Sequence, residues 1–96
     1  MIAFRKVATV LKYESYGSDG SLTFSDILAV CSTKKKAISL MCEILENVED
    51  KLDEAYTPYT ENCDLGKGVA KIEYGDNCSY RYYCVDYIVD ELEQFL

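Results

Sequence analysis

Carboxylates are the most numerous side chains in this 96-residue sequence that could do chemistry. Residues 43–96 hold fourteen acidic and four basic side chains, residues 1–42 hold three acidic and six basic ones, and the net charge is −7. In a helix, carboxylates three or four residues apart lie along one side, with a rise of ~4.5–6 Å between neighbours. Five carboxylates in a segment of helical periodicity follow this spacing: Glu43, Glu46, Asp50, Asp53 and Glu54.

This acidic row has two interpretations. Its spacing is comparable to that of the phosphates along one nucleic-acid strand, which lie roughly 3.4 Å apart along the axis. The row could therefore occupy a channel lined by Lys and Arg in a protein that handles nucleic acid. The alternative is the solvated outer face of an amphipathic helix.

Tyrosine is the second notable residue type, with nine copies in the chain. Four of them crowd the last predicted strand, where alternation places Tyr80 and Tyr82 on one face and Tyr83 and Tyr87 on the other. Both faces cannot be deep core in a two-layer domain, so we expect one pair to be exposed near Arg81. Exposed Tyr beside Arg is typical of protein interfaces, whereas cross-strand aromatic packing would only stabilise the sheet.

The residue inventory argues against catalysis and against a bound cofactor. The chain has no His, which excludes a Ser-His-Asp triad, a Cys-His dyad and a His-ligated zinc. Its five cysteines are odd in number and form no C-x-x-C pair, as expected for thiols in a reducing cytosol. We therefore predict no enzymatic activity, no cofactor and no metal.

Periodicity predicts the elements that position these residues. Residues 2–13 and 22–31 are expected to form a hairpin of two strands. Ser32 and Thr33 then resemble a helix N-cap, followed by three lysines and an apolar stripe with helical spacing that must end before Pro58. A polar connection over residues 57–68, a strand over 69–74, a turn at 75–77 and a Tyr-rich strand to about Val89 complete the chain, which then continues as a short helical or frayed tail.

The predicted fold is α+β, a two-layer ββαββ domain spanning residues 1–96, with one long helix packed on one face of an antiparallel sheet. The other face of the sheet would be solvated or would bind a partner. No apolar run approaches the ~18 residues of a membrane span, and we expect a cytoplasmic protein.

Two segments resemble small β-β-α-β-β proteins of phages and other mobile elements. In residues 28–37, a strand ending in apolar residues is followed by Ser-Thr, three polar residues and an Ala within the helix. Residues 82–91 resemble the final strand of those proteins. Several small acidic phage proteins of similar size are counter-defence inhibitors, including anti-CRISPR proteins. The resemblance implies a role of this kind and assigns no functional residue.

The combined hypothesis is a phage or mobile-element inhibitor that blocks a host protein with a basic nucleic-acid-binding surface, for example a Cas effector. The acidic row would contact Lys and Arg of that host protein. Direct binding of nucleic acid or of a membrane is not expected. The alternative is a self-associating structural or accessory module, such as a homodimer. The anchoring residues would lie in the last strand: Tyr80, Arg81, Tyr82, Tyr83 and Tyr87.

Overall fold

The structure, a computed structural model, describes residues 5–90 of the chain. It contains five strands and one helix in the order ββαβββ. The elements are β1 (Arg5–Tyr16), β2 (Leu22–Cys31), α1 (Lys34–Glu54), β3 (Tyr59–Asp64), β4 (Val69–Tyr74) and β5 (Cys78–Asp90).

All five strands join one antiparallel sheet in the order β2-β1-β5-β4-β3. The two longest strands, β1 and β5, are its central pair and run side by side from Arg5 opposite Asp90 to Tyr16 opposite Ser79. Strand β2 forms one edge of the sheet and β3 the other. The pairing of β1 with β2 shifts register twice, around Leu28 and around Thr23.

Helix α1 begins and ends with defined caps. Thr33 has extended backbone angles, and its side-chain oxygen accepts a hydrogen bond from the Lys36 amide at 3.2 Å, which satisfies one first-turn donor. At the other end, the amide of Thr57 donates to the carbonyl of Leu52 and that of Tyr56 to the carbonyl of Asp53. This is a Schellman motif, and Tyr56, with φ of +54°, holds the left-handed position where glycine is usual.

The core lies between α1 and one face of the sheet. Directly opposed residues of an antiparallel pair share a face, so the registers define a helix-facing side and an open side. The apolar stripe of α1 points its buried residues at the helix-facing side, as the periodicity predicted. The core cluster consists of Met41 and Leu45 from α1, Leu11 from β1, Ala70 and Ile72 from β4, and Tyr82 from β5.

The predicted α+β class, the antiparallel sheet and the single long helix are confirmed, but the ββαββ layout is wrong by one strand. The polar connection predicted over residues 57–68 contains strand β3, which pairs with β4 from Tyr59 opposite Tyr74 to Asp64 opposite Val69. Nearly every β3 residue is exposed, so no apolar alternation indicated it. The first strand also runs to Tyr16, three residues beyond the predicted end. Strand β5 extends to Asp90, one residue into the predicted tail, and the rest of that tail, residues 91–96, lies outside the described residues.

Candidate functional site

The acidic row forms the outer face of α1. Its five members, Glu43, Glu46, Asp50, Asp53 and Glu54, are all exposed, on the side away from the buried stripe. The helix has no acidic residue in its first turn, where the three lysines lie, so its negative charge is concentrated in its middle and C-terminal part. The structure therefore presents the carboxylates to solvent as a continuous line about three turns of helix long.

One flank of this row continues onto the sheet edge. Glu49, half-buried on α1, shares a hydrogen bond with Glu61 on the neighbouring strand β3, and this bond is the main reason that the pKa of Glu49 rises to about 7. Partial burial and the nearby charges of Asp53 and Asp50 add to the increase. Glu61 was missed by the sequence prediction because its strand was not predicted. The acidic surface is therefore wider than the helix alone.

The two ion pairs found among the described residues lie away from the acidic row of α1. Lys71 Nζ is 3.2 Å from Glu73 Oε1, and Arg81 Nη1 is 3.5 Å from Glu14 Oε1. Both pairs lie on the open side of the sheet, and neither includes a carboxylate of α1. The acidic face of the helix is therefore not neutralised by either of these pairs.

The last strand divides its tyrosines between the two faces of the sheet, as alternation predicted. Tyr80 and Tyr82 lie on the helix-facing side, where the Tyr82 ring packs 5.1 Å from Tyr13 and the Tyr80 ring stacks 4.5 Å from Tyr74. Burial raises the pKa of Tyr82, whose side chain is only 3% exposed. Tyr82 is thus a core residue, and in the folded protein it cannot contact a partner as the sequence prediction expected.

The other two tyrosines lie on the open side, each beside a cation. The guanidinium of Arg81 lies 4.8 Å from the centre of the Tyr83 ring, and the ammonium of Lys12 lies 5.5 Å from that of Tyr87. These cation–π contacts order both rings on the exposed surface. Tyr83, Tyr87 and Arg81 are accessible to a partner, but they face away from α1. The predicted acidic and aromatic residues therefore belong to two opposite surfaces.

A residue that sequence reasoning missed lies at the end of the acidic row. Tyr56 is 93% exposed and lies two residues after Glu54, the last carboxylate of α1. Its positive φ is costly for a residue with a side chain, and a ring so exposed buries little surface that could offset this cost. The signal available in the sequence was a Tyr, instead of the usual Gly, shortly before Pro58.

Metal binding and thiol chemistry can be examined for some groups of the described residues. Within residues 5–90 there is no cluster of three or more Cys, Asp or Glu that could hold a metal ion. Burial raises the pKa of the Cys63 and Cys84 thiols, whereas an activated thiol needs a lowered pKa.

Two further observations concern the chain as a whole. Across residues 5–90, no helix combines the length and the apolar composition that crossing a lipid bilayer requires. Comparison of the chain with protein-family models, with curated proteins and with solved structures finds no match in any of the three. The function is therefore inferred from surface chemistry.

Proposed function

We propose that this protein is a non-catalytic inhibitor that binds a basic surface of a nucleic-acid-handling protein through the outer face of α1. The observation that carries the proposal is the continuous exposed row of five carboxylates, which neither described ion pair includes. A Lys/Arg-lined channel would gain the contacts that it normally makes with phosphates. Host defence effectors that hold a guide or target nucleic acid, of the kind inhibited by anti-CRISPR proteins, have channels of this chemistry.

Tyr56 adds an anchor to this surface. Interfaces are enriched in tyrosine because it supplies a large contact area at a low cost in side-chain entropy. Its position at the C-terminal end of the row would place the ring at the edge of the bound channel. Strained exposed residues cluster at functional sites, which is consistent with an anchoring role.

The experiment is a pull-down from bacterial lysate with the wild-type protein and with the variant Glu46→Lys/Asp50→Lys. We expect the wild type to retain a basic nucleic-acid-binding protein that is released by high salt and by competing nucleic acid. The double reversal should weaken this binding at least about tenfold, or ~1.4 kcal/mol. The matched control is Glu73→Lys/Asp76→Lys, which makes the same change in charge away from α1, on the open side of β4 and in the turn that follows it.

Two outcomes of the comparison between variants would contradict the proposal. One is equal retention of the target by the wild type and by the α1 variant. The other is equal loss of binding in the α1 variant and in the control, which would indicate attraction to net charge without a defined site. Retention of a target that competing nucleic acid does not release would exclude occlusion of a nucleic-acid channel.

A further inference from the structure

Strand β2 is an edge strand with an unusually apolar surface. Its outer side has no strand partner among residues 5–90. Val30 is 68% exposed and Ile27 55%, and neither side of the strand is covered along most of its length. Five of the large apolar side chains that the described residues leave exposed belong to this one strand: Leu22, Phe24, Ile27, Leu28 and Val30.

The opposite edge of the same sheet is built differently. Strand β3 is six residues long and carries exposed Glu61 and Asp64, the kind of charge that prevents edge-to-edge pairing. Strand β2 has ten residues and a single charge, Asp26. Its two register shifts leave the stretch from Phe24 to Ile27 regular between them. Edge β3 is thus protected against pairing with another chain, whereas β2 is only weakly protected. This difference indicates that a partner strand covers β2.

Charge complementarity around β2 favours a second copy of this chain as that partner. Two copies repel each other through their net charge of −7, but β2 itself carries only one charge, Asp26. In a two-fold antiparallel pairing, the start of one β2 strand lies beside the end of the other. This arrangement brings Asp19, in the turn before β2, near the lysines at the start of α1 of the other copy, all three of which are exposed. The symmetry forms this contact twice.

We propose that β2 pairs antiparallel with β2 of a second copy to form a continuous ten-stranded sheet. The two-fold axis is then perpendicular to the sheet, so both α1 helices lie on the same side. The dimer displays two acidic faces in one direction. This inference uses a different surface from the proposed function and stands independently of it.

Sedimentation equilibrium under reducing conditions tests the proposal, with the wild-type protein measured over a wide range of concentration. We expect a monomer–dimer equilibrium. Ile27→Lys places a charge in the centre of the pairing strand and should raise the dimer dissociation constant at least about thirtyfold. The matched control is Leu65→Lys, at a 44% exposed apolar residue in the turn between β3 and β4, and should change the constant less than about twofold.

A second variant keeps the test valid if Ile27→Lys fails to fold. Lys35→Glu places an acid in the first turn of α1, where it interacts favourably with the helix dipole, but it would repel Asp19 of the second copy. It should leave folding intact by circular dichroism and weaken the dimer about two- to tenfold. A wild-type protein that remains monomeric at the highest concentration would overturn the proposal. A dimer that persists in Ile27→Lys, or is lost equally in Leu65→Lys, would do the same.

Discussion

At the scale of single residues, the pair Glu49 and Glu61 makes stability depend on pH. The pKa of Glu49 is raised from its ordinary 4.5 to about 7 in the folded protein, so the folded state holds a proton that the unfolded state releases. The stabilisation is complete below about pH 4.5 and is lost as the pH rises through about 7. The contact joins α1 to the edge strand β3, so the loss loosens that edge.

The variant Glu61→Gln tests this link. It removes the carboxylate that shares the proton, so Glu49 should titrate near its ordinary value. As the pH rises from about 5 to 7.5, the melting temperature of the wild type should fall, and that of the variant should fall less. The control Glu73→Gln removes a carboxylate from β4 without contacting Glu49 and should behave like the wild type. Identical pH profiles for all three proteins would refute the coupling.

The residue scale also marks the limit of prediction for the tyrosines. Alternation placed Tyr80 and Tyr82 on one face and Tyr83 and Tyr87 on the other, but it could not identify the core face. That choice depends on the register of β5 against β1, which brings Tyr82 opposite Tyr13 beneath α1. The two faces have similar residue types, so only the long-range pairing distinguishes them.

At the scale of elements, the end of α1 carries an unfavourable backbone conformation that can be removed. A left-handed φ costs a residue with a Cβ roughly 1 kcal/mol more than glycine. Tyr56→Gly should therefore raise the free energy of unfolding by about 0.5–1 kcal/mol in urea denaturation, whereas Tyr56→Ala should leave it nearly unchanged. No gain in the glycine variant would show that the ring makes stabilising contacts.

The same Tyr56→Gly variant should bind the proposed target more weakly, since it removes the anchoring ring.

Elements with a clear pattern of apolar residues were predicted well. The bounds of β2 and β4 match the sequence prediction, and α1 follows from its stripe and its N-cap. Strand β3 could not be predicted because it is held by backbone pairing with β4 and buries almost nothing. The acidic row followed from helical spacing alone. Its extension to Glu61 did not, because it depends on the unpredicted strand.

At the scale of the whole molecule, the net charge of −7 should make stability depend on salt. Repulsion among the carboxylates destabilises the compact state, and added salt screens it. We expect the melting temperature to rise by roughly 2–4 °C between low and physiological ionic strength. Glu46→Lys/Asp50→Lys changes the net charge from −7 to −3, because each replacement of an acid by Lys raises the charge by two units. Its melting temperature should therefore rise less, and an equal rise would indicate that the acidic row contributes no repulsion.

The central pairing of β1 with β5 has a mechanical consequence. Arg5 and Asp90 are opposite each other at one end of this ladder, and Tyr16 and Ser79 at the other. A force that pulls residues 5 and 90 apart therefore acts across the strands and not along them. It loads the backbone hydrogen bonds in sequence and opens the sheet like a zipper, beginning at its middle strands. Sheets loaded along their strands must instead break many such bonds together, so this protein should yield to much smaller forces.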